Sequence, residues 1–97
     1  MPTARTTRLV TGQAELIARA LADPNRFAIL QQIAKADESL ACGALQEQQT
    51  LSPATISHHM KELNEAGLID VVREGRCANL FFRRDIWNAY IAQLSTL

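Results

Sequence analysis

Little in this chain points to catalysis, secretion or membrane insertion. Its 97 residues include two cysteines, four glycines, three prolines, two histidines, one tryptophan and one tyrosine. Two cysteines make no disulfide framework, and a reducing compartment keeps them as thiols. There is no glycine-rich phosphate loop, no nucleophile elbow and no pair of carboxylates set against a histidine, so no enzyme class is indicated and no cofactor is called for. No run of about 18 apolar residues exists to span a membrane, and Met1 to Gly12 lacks the apolar core of a secretory signal. The expectation is a soluble, cytoplasmic protein with no membrane partner. Net charge is missing too, with ten Lys and Arg against ten Asp and Glu.

What the chain does have is enough apolar content, 47%, for one core. At this length that implies a single domain of modest stability, for which oligomerisation is a natural support. The zero net charge hides an asymmetry. Residues 36–50 carry Asp37, Glu38 and Glu47 with no cation, whereas residues 72–84 carry Arg73, Arg76, Arg83 and Arg84 against Glu74 alone. A local positive field of this kind matters more for contact with an anion than the overall balance.

The most informative stretch begins at Leu51. Ser52 is a good N-cap, Pro53 suits a first helical turn, and Gly67 stands where a helix ends in a left-handed residue. Between them Ile56, Met60 and Leu63 recur at helical spacing as a buried stripe, leaving Ala54, Ser57, His58, Lys61 and Glu65 on the outer face. A β-hairpin is expected next, from Leu68 to Arg73 and from Arg76 to Arg83, with Glu74-Gly75 at its turn. In its second strand Ala78, Leu80 and Phe82 share one face and Cys77, Asn79 and Phe81 the other. A capped polar-faced helix running into a basic hairpin is the signature of a winged helix-turn-helix, a DNA-binding arrangement.

The rest of the chain fits that plan. Residues 1–12 read as a flexible arm and residues 13–97 as one winged helix domain. The first helix is expected at about Gln13 to Ala22, with Ala14, Ile17 and Leu21 inward. Asp23-Pro24 starts a second helix whose apolar face holds Phe27, Leu30, Ile33 and Ala34. Asp37-Glu38-Ser39 is a polar break, and a short third helix from about Cys42 to Gln48 points Leu45 inward. Gln49-Thr50-Leu51 turns into the capped helix. Asp85 is expected to cap the last helix, where Trp87, Tyr90, Ile91 and Leu94 form a stripe that suits a subunit interface. The fold class is therefore mostly α with a small antiparallel hairpin, about five helices plus a wing.

Three spaced motifs, Leu21-Ala-Asp-Pro-Asn-Arg-Phe-Ala-Ile-Leu30, Leu51-Ser-Pro-Ala-Thr-Ile-Ser-His-His-Met-Lys61, and Glu65-Ala-Gly-Leu68 with Arg73-Glu-Gly-Arg76, resemble the ArsR/SmtB family of bacterial winged-helix repressors. The resemblance covers roughly residues 13–95. It implies a transcriptional repressor of the bacterial cytoplasm, a homodimer joined through first and last helices that binds double-stranded promoter DNA at an inverted-repeat operator and is released by an inducer. It makes residues 52–66 the recognition helix in the major groove and residues 68–83 the wing on flanking backbone or minor groove. The DNA-binding candidates are then Ser52, Ala54, Thr55, Ser57, His58, Lys61, Arg73 and Arg76, and the interface candidates Ile17, Leu21, Trp87, Tyr90, Ile91 and Leu94.

Departures from the family matter as much. Its soft-metal sensors resemble one another in a Cys-Val-Cys run at the third helix, where this chain has Ala41 and Gly43 around a lone Cys42. Its zinc and nickel sensors use Asp and His on the last helix, but residues 87–97 hold no His, Asp or Glu. A single thiolate cannot supply three or four ligands, so no metal site is expected and the inducer, small molecule or oxidant, is not inherited. Cys42 at a helix start and Cys77 beside Arg76 are in electropositive settings that suit redox thiols, which makes thiol-based redox regulation one alternative. A winged helix that binds protein is another, permitted by the zero net charge. His58 and His59 point about 100° apart on a helix and do not share a metal without distortion. His58 suits DNA contact and His59 hydrogen-bonded packing.

Overall fold

Residues 7–48 and 50–97 are described by a computed structural model; Met1 to Thr6, half of the expected arm, and Gln49 of the expected turn lie outside the described residues. The element order is α1 (Gln13–Leu21), α2 (Pro24–Lys35), β1 (Leu40–Ala41), α3 (Cys42–Glu47), α4 (Pro53–Glu65), β2 (Ile69–Glu74), β3 (Cys77–Phe82) and α5 (Arg84–Leu94). Among the described residues no helix is long and apolar enough to cross a membrane.

Two helix starts follow from cap chemistry. The Asp23 carboxylate accepts from the amides of Asn25 at 2.8 Å and Arg26 at 3.1 Å, with Pro24 first in α2. The Arg26 amide holds that carboxyl below its ordinary pKa. Ser52 Oγ accepts from the Thr55 amide at 3.2 Å at the start of α4. The end of α4 is equally defined. Gly67, at φ +83°, lets its own amide reach Asn64 O at 3.0 Å and the Leu68 amide reach Leu63 O at 3.0 Å. This is a Schellman closure, which only a residue tolerant of left-handed backbone makes without strain.

The hairpin belongs to a three-stranded antiparallel sheet in the order β1-β3-β2. The extra strand, Leu40–Ala41, was not foreseen because two residues carry no periodicity. It pairs Leu40 with Leu80 and Ala41 with Asn79. Glu74 pairs with Cys77, so the turn is Gly75-Arg76 rather than Glu74-Gly75, with Gly75 at φ +64°. Glycine first with positive φ in a two-residue loop matches the twist of the flanking strands.

The core gathers one face from each layer. Ile17 and Ala20 of α1, Ile29, Leu30 and Ile33 of α2, Leu45 of α3, Ile56 and Leu63 of α4, and Ile69 and Leu80 of the sheet are all buried, with Ile86 and Tyr90 of α5 closing the cluster. Of the two faces of β3, the one carrying Ala78 and Leu80 turns inward, with Phe82 packed against the core.

Several positions differ from the sequence reading. In α2 the inward stripe is Arg26, Ile29, Leu30 and Ile33, spaced i, i+3, i+4, i+7, so Phe27 falls on the flank and is 38% exposed. In α4 His59 is buried with Ile56 and Leu63, and Met60 is only partly buried. Asp85 does not cap α5. The chain leaves β3 with the Arg83 amide bonded to Leu68 O, and Arg83 O accepts the first helical bond from Trp87, so Arg83 is the N-cap. Asp85 lies in the first turn, where its carboxylate pairs with the Arg83 guanidinium at 2.9 Å and accepts from Thr7 Oγ1 at 3.3 Å. Thr7 to Gly12, read as arm, therefore lies against the body, with Leu9 packed on the core and the Val10 amide bonded to Gln13 Oε1.

The Arg83 guanidinium, bonded to it, holds the Asp85 carboxyl at a pKa of about 2, and Arg83 itself is raised. A carboxyl depressed in the folded state adds stability above its unfolded pKa and loses it as pH falls through the folded value. Asp85→Asn should therefore leave stability at pH 2 nearly unchanged and lower it above pH 4, by an amount kept small by solvent screening. Urea titrations across pH 2–6 check this; equal loss at both ends would contradict it.

Candidate nucleic-acid interface

The outer face of α4 is where the sequence placed it. Ser52, Ala54, Thr55, Ser57, His58 and Lys61 are all exposed. Ser52 Oγ donates to Thr55 Oγ1 at 2.9 Å, so both hydroxyls are partly committed to the cap, and Ser57, His58 and Lys61 are the freer groups. Arg73 and Arg76 of the hairpin are exposed as well. Among the described residues neither they nor Lys61 have an ion-pair partner.

The two elements meet in a concave cleft of about 580 Å³. Ser57, Met60, Lys61 and Asn64 of α4 form one wall, Val71 and Arg73 of β2 the other. Short hydrogen-bonding groups on a helix, flanked by cations on a strand, can contact base edges and phosphates at once. Asn64 and Val71 were not singled out in the sequence. Asn64 follows Ser57 by seven residues, two helical turns along the same face, which is the signal that could have found it.

Behind this face a polar clamp holds α4 in place. The Arg26 guanidinium donates to Ala20 O at 2.8 Å and Arg19 O at 3.2 Å, capping the end of α1, and lies 3.3 Å from His59 Nδ1. A guanidinium only donates, so Nδ1 accepts and the ring proton sits on Nε2. His59 is thus a packing residue, 5% exposed, and His58 the solvent-facing one.

The thiols are far less engaged. Cys77 is exposed at the hairpin, and Cys42, half-buried, has its Sγ 3.9 Å from Met60 Sδ and 3.7 Å from Gln46 Nε2. Among the described residues no three His, Cys, Asp or Glu side chains gather where a metal could be held.

The residues read as an interface divide in two. Ile17 is fully buried and Tyr90 8% exposed, so both serve the protomer's own core. Leu21 and Trp87 are half-buried, while Ile91 and Leu94 are more than 40% exposed, as is Leu16 of α1, which the sequence reading passed over. Ile86 and Tyr90 of α5 join the core cluster and Trp87 packs beside it, whereas Ile91 and Leu94 lie outside it.

Two helices joined through a short turn, the second exposed and flanked by a hairpin, define a winged helix-turn-helix protein. A sequence model described as a helix-turn-helix domain matches residues 21–72. The chain belongs to this family of helix-turn-helix transcriptional regulators, which is not a family of enzymes. It is 32% identical over 75 residues to the uncharacterized HTH-type transcriptional regulator YceK of Bacillus subtilis (strain 168), covering 77% of this chain and 75% of that protein. Among solved structures it resembles an ArsR-like transcriptional regulator from Rhodococcus sp. RHA1, with a TM-score of 0.77, 23% identity, and 87% and 77% of the two chains covered. It also resembles a homodimeric winged helix-turn-helix DNA-binding domain from Mycobacterium bovis, with a TM-score of 0.69, 23% identity, and 87% and 78% covered.

Proposed function

We propose that the protein is a homodimeric repressor of the bacterial cytoplasm that binds an inverted-repeat operator. Helix α4 enters the major groove and the β2–β3 wing lies on flanking backbone or minor groove. The observation that carries this reading is the cleft in which Ser57, Lys61 and Asn64 face Arg73, with neither cation in an ion pair among the described residues. Two such helices related by a two-fold axis would engage half-sites about 34 Å apart, one turn of DNA. The homodimeric state of the Mycobacterium bovis domain supports the assembly. Fluorescence polarisation against duplexes from the promoter upstream of its own gene tests it. Affinity should fall steeply with salt and exceed that for random duplex by about 10³-fold. Binding that is weak, sequence-indifferent and salt-insensitive would point to a protein partner instead.

The dimer has its own test in the exposed half of the α5 stripe. Ile91→Asp with Leu94→Asp leaves the core residues Ile86 and Tyr90 in place, so the chain should stay folded. Light scattering should then give a monomer at micromolar concentration, and operator affinity should fall about 100-fold as the second half-site is lost. A double variant that remains dimeric would remove α5 from the interface.

A further inference from the structure

Helix α2, the end of β3 and the start of α5 border an open cavity of about 230 Å³ that shares no lining residue with the DNA cleft. Its floor is apolar, formed by Leu30 and Ala34. Three aromatic side chains line it: Phe27, 38% exposed and unused by the core, with Phe82 and Trp87, whose ring centroids lie 6.4 Å apart at 51°. Only two polar side chains line it, Gln31 and Arg84. The Arg84 guanidinium carbon sits 4.9 Å from the Phe82 ring centroid, and among the described residues no carboxylate pairs with it.

We infer that this cavity is a binding site for a small carboxylate carried on a single ring. Three features select that class. The volume exceeds the roughly 150 Å³ that accommodates benzene and falls short of the roughly 300 Å³ at which drug-sized sites begin. Aromatic walls set at an angle favour a flat apolar body. The one formal charge at the rim is a guanidinium already oriented by its ring, and its planar donors match a carboxylate in two parallel bonds, with the Gln31 amide as a second donor. A cation or a long acyl chain meets no such combination here, and a single guanidinium leaves the second charge of a phosphate monoester unmatched. An occupant would press on α2, which carries Arg26 and through it both the end of α1 and His59 of the recognition helix. That consequence rests on the proposed function, whereas binding itself is read without DNA.

Trp87 is the chain's only tryptophan and lines the cavity, so its emission reports occupancy directly. Benzoate titrated into the purified protein should produce a saturable change in Trp87 emission, with benzamide, its neutral counterpart, binding at least about tenfold more weakly. Arg84→Gln, at an exposed position, should weaken benzoate about tenfold and leave benzamide unchanged, and Ala34→Phe should abolish both by filling the floor. Circular dichroism confirms that each variant is folded; if Ala34→Phe is not, the Arg84→Gln comparison decides alone. No saturable change with benzoate to about 10 mM, as when a second copy of the chain covers the cavity, overturns the inference. So does equal affinity for benzoate and benzamide, or benzoate affinity unaltered in Arg84→Gln. If benzoate binds by fluorescence while no duplex binds at any salt, the ligand site stands and the DNA reading fails.

Discussion

Gly67→Ala is expected to destabilise the chain by about 2–3 kcal/mol, far more than a one-carbon change elsewhere on the surface. Two independent effects add. The backbone is held at φ +83°, which an L side chain adopts only at a penalty, and a Cβ built there comes 2.5 Å from Gln13 Nε2. That nitrogen donates to Ala66 O at 3.0 Å in a buried setting, while Gln13 Oε1 accepts from the Val10 amide. Relieving the contact therefore breaks the link between the start of α1 and the end of α4. Urea denaturation at fixed protein concentration measures the loss. Gln13→Ala alone should cost about 1 kcal/mol, and the double variant less than the sum of the two, because the clash disappears with the side chain. A Gly67→Ala variant within 0.5 kcal/mol of the parent would show that the left-handed closure is not needed.

Lys61→Glu combined with Arg73→Glu should reduce operator affinity about 100-fold or more at 0.1 M salt. Both side chains line the cleft and are exposed, so the fold should be unaffected. A dimer carries each change twice, replacing four cations by anions where phosphates would sit. Each phosphate contact contributes roughly 0.9 to the slope of log affinity against log salt, so the slope should flatten by about 3–4. Affinity loss without a change of slope would mean that these groups touch bases and not backbone. Unaltered affinity would remove the cleft from the DNA surface altogether.

How far the sequence carried this reading depended on how local each signal was. Ser52, Pro53 and Gly67 are punctuation that acts through its own neighbours, and the bounds of α4 follow from them almost to the residue. The outer face of α4 and the cations of the wing were legible for the same reason: helical and strand periodicity fixes which side chains share a face. What failed was non-local. Arg26 holds an inward position of α2 because the α1 carbonyls and His59 satisfy its donors, and no polarity pattern announces that a charged residue has found such partners. Phe27 was assigned inward on hydrophobicity when its angle on the helix puts it on the flank, beside the cavity with Trp87. Ile17 and Tyr90 looked available for a partner because helical spacing alone does not reveal that the chain's own core cluster already takes both. β1 was invisible for a different reason, since two residues contain less than one period of any pattern.

That brief strand also bears on the chemistry of the chain over time. Leu40 and Ala41 are tied to β3 by only two residue pairs, across a loop of nearly forty residues that contains α3, α4 and β2. Such a segment is released at far lower free energy than the six-pair β2–β3 ladder, so it opens many times before the domain unfolds. Cys42 follows it directly at the start of α3, and among the described residues its sulfur meets Met60 and Gln46. The rate at which any electrophile or oxidant reaches that sulfur is then raised, above what the half-buried thiol allows at rest, by the equilibrium fraction of this frayed state multiplied by the reagent's own rate with an open thiol. Temperature or mild denaturant should accordingly tune Cys42 labelling well below the unfolding midpoint, while Cys77, already in solvent, follows no such opening.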